Sequence, residues 1–595
     1  MAKVLDLEKK AIEIRKTLIQ TVSQTGGHLA PNLGVVELTL ALHHVFDFSK
    51  DKLLFDVGHQ SYVHKLLTDR KERFSTLRTR GGVGPFLDPT ESSWDHFISG
   101  HAGTALAAAV GMAKAYPEKK IVVVIGDASI ANGHSMEALN YIGGEKIKNI
   151  LVILNDNEMS IGRNVGSLSK FLGKVMLSSP YLSLRKEIRS FVDKIQATSI
   201  KDTLERMEIS VKNFLFPTNV AENFGYIFLG SIDGHNLEEL VGTFLKAKEM
   251  EGPLFLHVKT VKGKGYRFAE QNTEKFHGIA PFDLSTGVVA NSSETYSNVF
   301  GTKMKEISKK DNSVFAITAG MLSGTGLKKM AEVFPERVLD TGIAEGFATT
   351  MSAGLAISGE KPYLCIYSTF LQRSFSQIIH DISLQNLPVR FIIDRAGIVG
   401  EDGKTHHGLH DLSFLLSVPN IVVLNPTTKE ELEEMLNFSL GYQEGPMAIR
   451  IPRDVAYSLP MKSTWKIGTW QEVKTGKKTL LIAVGSMLKE LLSLKVEGTI
   501  VAASSLRPLD KEYIKSQFEK YETIIVCEEN YKEASFFQYL LNELDSMGIQ
   551  RKLYSISLSS FIIGHGKRKE LLEEYGLSGA KLLERIEEIV DGGKK

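Results

Sequence analysis

The sequence predicts an α/β protein of three doubly wound, mostly parallel-sheet domains. Short β-rich apolar runs recur along it, at 121–125, 150–154, 254–258, 363–366, 389–393, 421–424, 480–484, 499–502 and 523–526. Helical patterns separate them, and strands alternating with helices build parallel sheets covered on both faces. The runs are continuous rather than alternating, as strands buried on two sides require. Nine strands are too many for one comfortable sheet, so breaks are expected. One falls at 283–297 (DLSTGVVANSSETYS), which is small, polar and turn-rich. Another falls at 457–477, where Pro460 and two tryptophans interrupt the pattern. The predicted domains are 1–290, 291–458 and 470–595. The stretch 170–216 has helical spacing, many charges and no strong strand, and reads as a helical insertion in the first domain.

Composition narrows the class of function. The chain has 595 residues, 43% hydrophobic and 24% charged, enough for several ordered domains. Its formal net charge is +1, which leaves no electrostatic footprint for nucleic acid or an anionic membrane. The two cysteines, Cys365 and Cys527, lie in apolar runs and fit a reducing cytoplasm. The first twenty residues lack the apolar stretch of a signal peptide, and no apolar run reaches the ~18 residues of a membrane span.

The segment VVIGDAS…ILVILNDNEMS carries the most chemistry. Asp127 follows one buried-strand pattern and Asn157 follows a second, thirty residues later. Both then stand at carboxyl ends of parallel strands, where open α/β sheets bind ligands. Mg²⁺ takes octahedral oxygen ligands and bridges carboxylates to phosphates. Asp127, the Asn157 side chain and the Met159 backbone carbonyl supply three, and a diphosphate the rest. Alone, such a Gly-Asp reads as a helix cap or turn; the pair favours the metal.

Gly-Asp followed by Asn-Asp-Asn at this interval resembles the thiamine diphosphate motif. The blocks TGGHLAPNLGVVELTLALHHVFD, FDVGHQSYVHK, SGHAGTALAAAVGMA, LNDNEMSI, GIAEGFAT, YSTFLQRSFSQIIHD, DRAGIVGEDGKTHHG and IPRD together resemble the 1-deoxy-D-xylulose-5-phosphate synthase family. They run from about Thr25 to Asp454 in family order. A weaker similarity continues through RPLD and CEEN in the last domain. GEDGKTH alone is similar to transketolase as well; DRAGIVG and FLQRSFSQIIHD are not, and they favour the synthase.

The resemblance implies a transketolase-like thiamine diphosphate fold, with a diphosphate-binding, a pyrimidine-binding and a C-terminal domain. It implies thiamine diphosphate and Mg²⁺ as cofactors, pyruvate and D-glyceraldehyde 3-phosphate as substrates, and a homodimer. Glu345 matches the glutamate that bonds the aminopyrimidine, and Phe370 the aromatic stacked on that ring. His59, Gly100, His101, Ala102, Ala128, Ser129 and Asn157 match cofactor contacts, with Tyr266 nearby. His28 and His406 match substrate-side acid/base groups, and Asp402 a group orienting the acceptor or His406. Lys262 and His277 match further active-site contacts. Arg395 and Arg453 match a phosphate clamp suited to the forked guanidinium, with Tyr367 and Arg373 beside it. His407 and His410 read as structural.

Four departures from family text stand out. Ala128 replaces the glycine of Gly-Asp-Gly, and its Cβ costs energy if φ is positive. Gly346 and Phe347 replace a Gln-His pair after the catalytic glutamate. CEEN is followed by YKEASFF where glycine-rich text is expected, and the N-terminus is shorter than usual. A transketolase-like ketol transferase is one rival reading; the changes at Ala128 and at Gly346 and Phe347 motivate a second, a non-catalytic paralogue.

Overall fold

The computed structural model describes residues 2–157, 220–289, 293–459 and 464–592. Met159 and the stretch 170–216 lie outside the described residues. The chain forms two compact units, one from 1–75 and 86–289, the other from 76–85 and 290–595.

The first unit is built on five strands, β1 (Lys52–Phe55), β2 (Ile121–Gly126), β3 (Ile150–Asp156), β4 (Ile227–Asp233) and β5 (Leu254–Lys259). Their order is β1-β2-β3-β5-β4 and every pairing is parallel. Side chains from Ala105–Ala115 and Gly133–Gly144, including Leu106, Ala109 and Ile142, pack against Val123 and Val152 on one face. Nearly every residue of β2 and β3 is buried, which is why both read as unbroken apolar runs.

The second unit holds two sheets. Strands β6 (Val314–Thr318), β7 (Val338–Asp340), β8 (Lys361–Tyr367), β9 (Arg390–Ala396), β10 (Val422–Leu424) and β11 (Met447–Pro452) form the larger one. Strands β12 (Gln471–Lys474), β13 (Thr479–Ala483), β14 (Thr499–Ala502), β16 (Thr523–Tyr531) and β17 (Leu553–Leu558) form the smaller. The remaining strand, β15 (Ser505–Arg507), leaves its sequence neighbours and pairs antiparallel with β10, so the larger sheet runs β15-β10-β11-β9-β8-β6-β7. One apolar core spans both sheets, with Leu364, Phe391 and Leu412 in the same cluster as Leu480, Trp470 and Phe536. Three mostly parallel sheets agree with the predicted fold class, and the shared core explains why two of them make one compact unit.

All nine sequence-predicted strands are present. Eight described strands were not foreseen: β6 and β17, the short β1, β7, β12 and β15, β4 with its glycine, and one that carries a charge in the core. The last case is β11, where Arg450 interrupts MAIRIP. It is 2% exposed and forks onto the fully buried Asp411, Nε–Oδ2 2.7 Å and Nη2–Oδ1 2.9 Å. Removing one member leaves the other charge buried and unpaired. Asp411→Ala is therefore expected to lower unfolding free energy by about 3–5 kcal/mol, read as a fall in the urea midpoint.

Candidate active site

The first unit gathers its polar groups at the carboxyl edge of its sheet. Beyond β1 the chain runs Asp56-Val57-Gly58-His59. Asp56 is buried and its carboxylate accepts from Gly103 N–H (2.9 and 3.0 Å) and Ala105 N–H (3.2 Å), capping the helix Ala105–Ala115. This ties the segment holding Gly100, His101 and Ala102 to the end of β1. Val57 sits at φ +60, a left-handed conformation that a β-branched residue adopts only under strain, at about 1–3 kcal/mol. Gly58 follows at φ +77, where a Cβ would overlap Ser99 Oγ. The strained turn presents His59.

Three imidazoles converge there. His59 stacks on His277 with centroids 5.2 Å apart, and His28 meets both edge-on at 6.0 and 5.8 Å. Asn32 fixes two of them, donating to the carbonyls of His28 (2.6 Å) and His59 (2.7 Å). Burial holds His59 and His277 well below the ordinary histidine range, helped by neighbouring imidazoles and Lys262. Both rings are therefore neutral, and both Nδ1 atoms are buried with no hydrogen-bond partner among the described residues. Buried polar atoms are normally paired, so this pocket wall suits a polar ligand.

Lys262 is also buried, and burial pulls its ammonium down to about 8 against the opposing charges of Asp127 and Glu274. Its loop is anchored from behind. Val261 N–H donates to His235 Nε2 (2.8 Å), His235 Nδ1 donates to Glu37 (2.9 Å), and Arg15 forks onto Glu37 (2.6 and 2.7 Å). Asp127 begins directly after β2 and Asn157 directly after β3, on neighbouring strands whose register pairs Gly126 with Asn155. Asn155 itself is structural, donating to Gln60 (2.8 Å) and accepting from Thr260 (2.7 Å). Ala128 and Ser129 lie in the short helix Asp127–Ile130, and Ala128 N–H donates to Asp127 Oδ1 (2.9 Å). Ala128 has no positive φ, so its Cβ brings no backbone strain. Tyr266 packs with Phe268, Phe276 and Phe282 and donates its hydroxyl to Leu284 O (3.0 Å).

In the second unit Glu345 is the first residue of the helix Glu345–Ile357 and is 5% exposed. Burial pushes its carboxyl up from the ordinary range, while Arg373, whose Nη1 lies 3.7 Å away, pulls it down. Arg373 thus faces Glu345, whereas the resemblance puts it beside the phosphate clamp. Phe370 stacks on Tyr367 (5.7 Å, 12°) and meets His406 edge-on (5.7 Å, 79°). Arg395 covers the other aromatic, its guanidinium 4.6 Å from the Tyr367 ring centre and Nη2 3.1 Å from its hydroxyl. Asp394 braces Arg395 at 3.2 Å. Arg453 donates to Val399 O (2.9 Å) and lies 3.3 Å from Glu401 and 3.5 Å from Asp402. Both arginines of the expected clamp therefore carry carboxylate partners.

Asp402 has a second cation that the sequence did not reveal. Arg78, 324 residues earlier in the chain, pairs with its Oδ1. No local signal marks this arginine among its neighbours. His407 is structural as expected: its Nδ1 accepts from Val399 N–H (3.0 Å), so its Nε2 donates to Gly564 O (2.9 Å). His410 meets Tyr531, Nδ1 to hydroxyl 3.2 Å.

Both sets of groups occur on folds of the thiamine enzyme class. Residues 292–457 match the transketolase pyrimidine-binding domain and 468–582 the transketolase C-terminal domain. Residues 2–260 match the family described as 1-deoxy-D-xylulose-5-phosphate synthase. Curated relatives bearing that name are 55% identical in Fusobacterium nucleatum, spanning 99% of this chain and 100% of the relative. In Clostridium tetani the identity is 43%, over 96% and 95%, and in Clostridium kluyveri 42%, over 98% and 96%. The chain belongs to the 1-deoxy-D-xylulose-5-phosphate synthase family.

Burial holds His407 down at about 4, so on acidification the unfolded chain takes up the proton first. Its contribution to stability is complete above about pH 6.5 and is lost as pH falls to about 4. At about 1.4 kcal/mol per unit the loss is ~3 kcal/mol. Urea unfolding at about pH 7 and about pH 5 is expected to show a smaller loss in His407→Gln than in the wild type.

Proposed function

We propose a residue-by-residue account of how this chain performs its family's reaction. The enzyme is a transferase that decarboxylates pyruvate and joins the remaining two-carbon unit to D-glyceraldehyde 3-phosphate, giving 1-deoxy-D-xylulose 5-phosphate and CO₂. This product feeds isoprenoid precursor, thiamine and pyridoxal synthesis. The reaction depends on thiamine diphosphate, which when bound supplies the nucleophilic carbon that pyruvate's ketone requires.

The observation that carries the site reading is the buried Glu345 carboxyl with its raised proton affinity. Such a carboxyl would hold a proton at a ring nitrogen of a bound aminopyrimidine. Phe370 gives that ring a flat apolar face. In the first unit His59, Gly100, His101, Ala102, Ala128, Ser129 and Asn157 contact the cofactor, with Tyr266 in the supporting wall. The unpartnered Nδ1 atoms of His59 and His277 support this assignment. Asp127, Asn157 and Met159 would hold the Mg²⁺ that accompanies the diphosphate, an all-oxygen set that suits this cation.

His28 and His406 move protons at the substrate carbonyl and hydroxyl oxygens. Lys262 and His277 contact the substrate from the first unit. Arg395 and Arg453 bind the acceptor phosphate, and Asp402 orients the acceptor or His406. Tyr367 supports Arg395, and Arg373 tunes Glu345. The functional domains are 1–290, 291–458 and 470–595. The protein acts as a cytoplasmic homodimer. The two buried, unbridged cysteines support the compartment. The exposed apolar side chains Phe347, Ile357 and Leu384 support a partner copy. No helix among the described residues is long and apolar enough to cross a membrane.

A coupled assay is expected to detect CO₂ release that requires pyruvate, D-glyceraldehyde 3-phosphate and thiamine diphosphate with Mg²⁺. Turnover of xylulose phosphate with ribose phosphate instead would indicate a transketolase, and no cofactor binding with Mg²⁺ would indicate a non-catalytic paralogue. Glu345→Ala is expected to abolish turnover; wild-type rates in that variant would refute its role. Arg453→Ala is expected to raise KM for the phosphorylated acceptor roughly tenfold or more, the worth of a lost charge-assisted hydrogen bond. KM for pyruvate should change far less.

A further inference from the structure

The similarity through CEEN, at 527–530, reached the last domain without assigning any residue there a part in the reaction. In the structure its second glutamate, Glu529 on β16, is buried with both carboxylate oxygens engaged. Oε2 accepts from the backbone N–H of Ile398 (3.0 Å) and from Arg568 Nη1 (2.6 Å). Oε1 accepts from Arg568 Nη2 (2.5 Å) and from the Ser486 hydroxyl. Arg568 Nη1 also donates to Ile398 O (2.6 Å), so the ion pair grips both backbone groups of one residue.

Ile398 opens the loop that carries Glu401, Asp402 and His406. Gly397 and Gly408 close that loop by exchanging N–H···O bonds of 2.8 Å. Gly397 is at φ +79, and a Cβ there would lie 2.4 Å from Glu529 Oε2, so the loop approaches the carboxylate as only glycine permits. His407 ties the far side of the loop to Gly564 O. Arg568 Nε lies 3.5 Å from Asp454, the neighbour of Arg453, and Arg453 donates to Val399 O in the same loop. A buried ion pair is a weak source of stability in itself. Here both members spend hydrogen bonds on the loop's backbone, which an apolar pair of equal volume would leave unsatisfied.

We propose that Glu529 and Arg568 are positioning residues, through which the C-terminal part of the chain sets the loop 397–408 and Arg453 for binding the phosphorylated acceptor. This rests on reading Asp402, His406 and Arg453 as acceptor-side groups. The test is steady-state kinetics on Glu529→Ala, Arg568→Ala, Arg568→Lys and Ser486→Ala, with thiamine diphosphate titration in each. The alanine variants at 529 and 568 are expected to raise KM for D-glyceraldehyde 3-phosphate on the order of tenfold or more, since misplacing a binding group by about 1 Å has that scale of effect. KM for pyruvate and cofactor affinity should stay within about twofold, and Arg568→Lys should recover part of the loss.

Lost folded protein lowers the apparent kcat and leaves KM alone. Unchanged acceptor KM in both alanine variants, or equal rises for both substrates, overturns the proposal. If those variants do not fold, Arg568→Lys and Ser486→Ala decide, and unchanged acceptor KM in both overturns it. Asp402→Asn and Arg453→Ala are measured alongside. If they raise acceptor KM while the Glu529 and Arg568 variants do not, the positioning role alone falls. If they leave it unchanged, the acceptor-site reading falls and this proposal with it.

Discussion

The parallel register between β2 and β3 is the constraint on which the metal and diphosphate reading depends. Pairing Gly126 with Asn155 brings the two strands out at one edge, so that Asp127 and Asn157 emerge from neighbouring positions. Parallel strands end at the same edge only if the chain returns through a crossover, and the helix Gly133–Gly144 supplies it. A slip of one residue would turn every side chain of β3 to the opposite face. The near-complete burial of both strands forbids that slip.

Around this edge the structure buries polar groups and then restrains them individually. Asn32 holds the backbone of two histidines, Asp56 holds the glycine segment beside them, and His235 with Glu37 holds the lysine loop. Burial holds His59 and His277 well below the ordinary histidine range and lowers Lys262; in the second unit it raises Glu345. Groups in these states are hydrogen-bonding and proton-exchanging groups rather than fixed charges. The strain at Val57 belongs to the same design, since it lies in the turn that presents His59.

The departures from family text are milder in three dimensions than on the page. Ala128 is helical, so the residue that looked most out of place carries no conformational penalty. Gly346 leaves space beside Glu345, and the carboxamide of Gln377 takes it, 3.2 Å from where a Cβ would stand. Phe347 points away from the described core and is 61% exposed.

The sequence by itself determined the fold class, most of the strands in its α/β runs and the chemistry-bearing blocks. These are local signals, readable because burial on two faces demands continuous apolar strands and because motif residues lie close together in the chain. The tertiary structure alone decided which charges meet. Arg78 reaches Asp402 across 324 residues, Arg373 turns to Glu345, and β15 joins a sheet its neighbours do not belong to. Arg450 hides a strand because its partner, Asp411, comes from elsewhere in the chain. Such contacts leave no periodicity or spacing to read. A buried charge is tolerable only beside its counterpart, and folding, not sequence order, brings the two together.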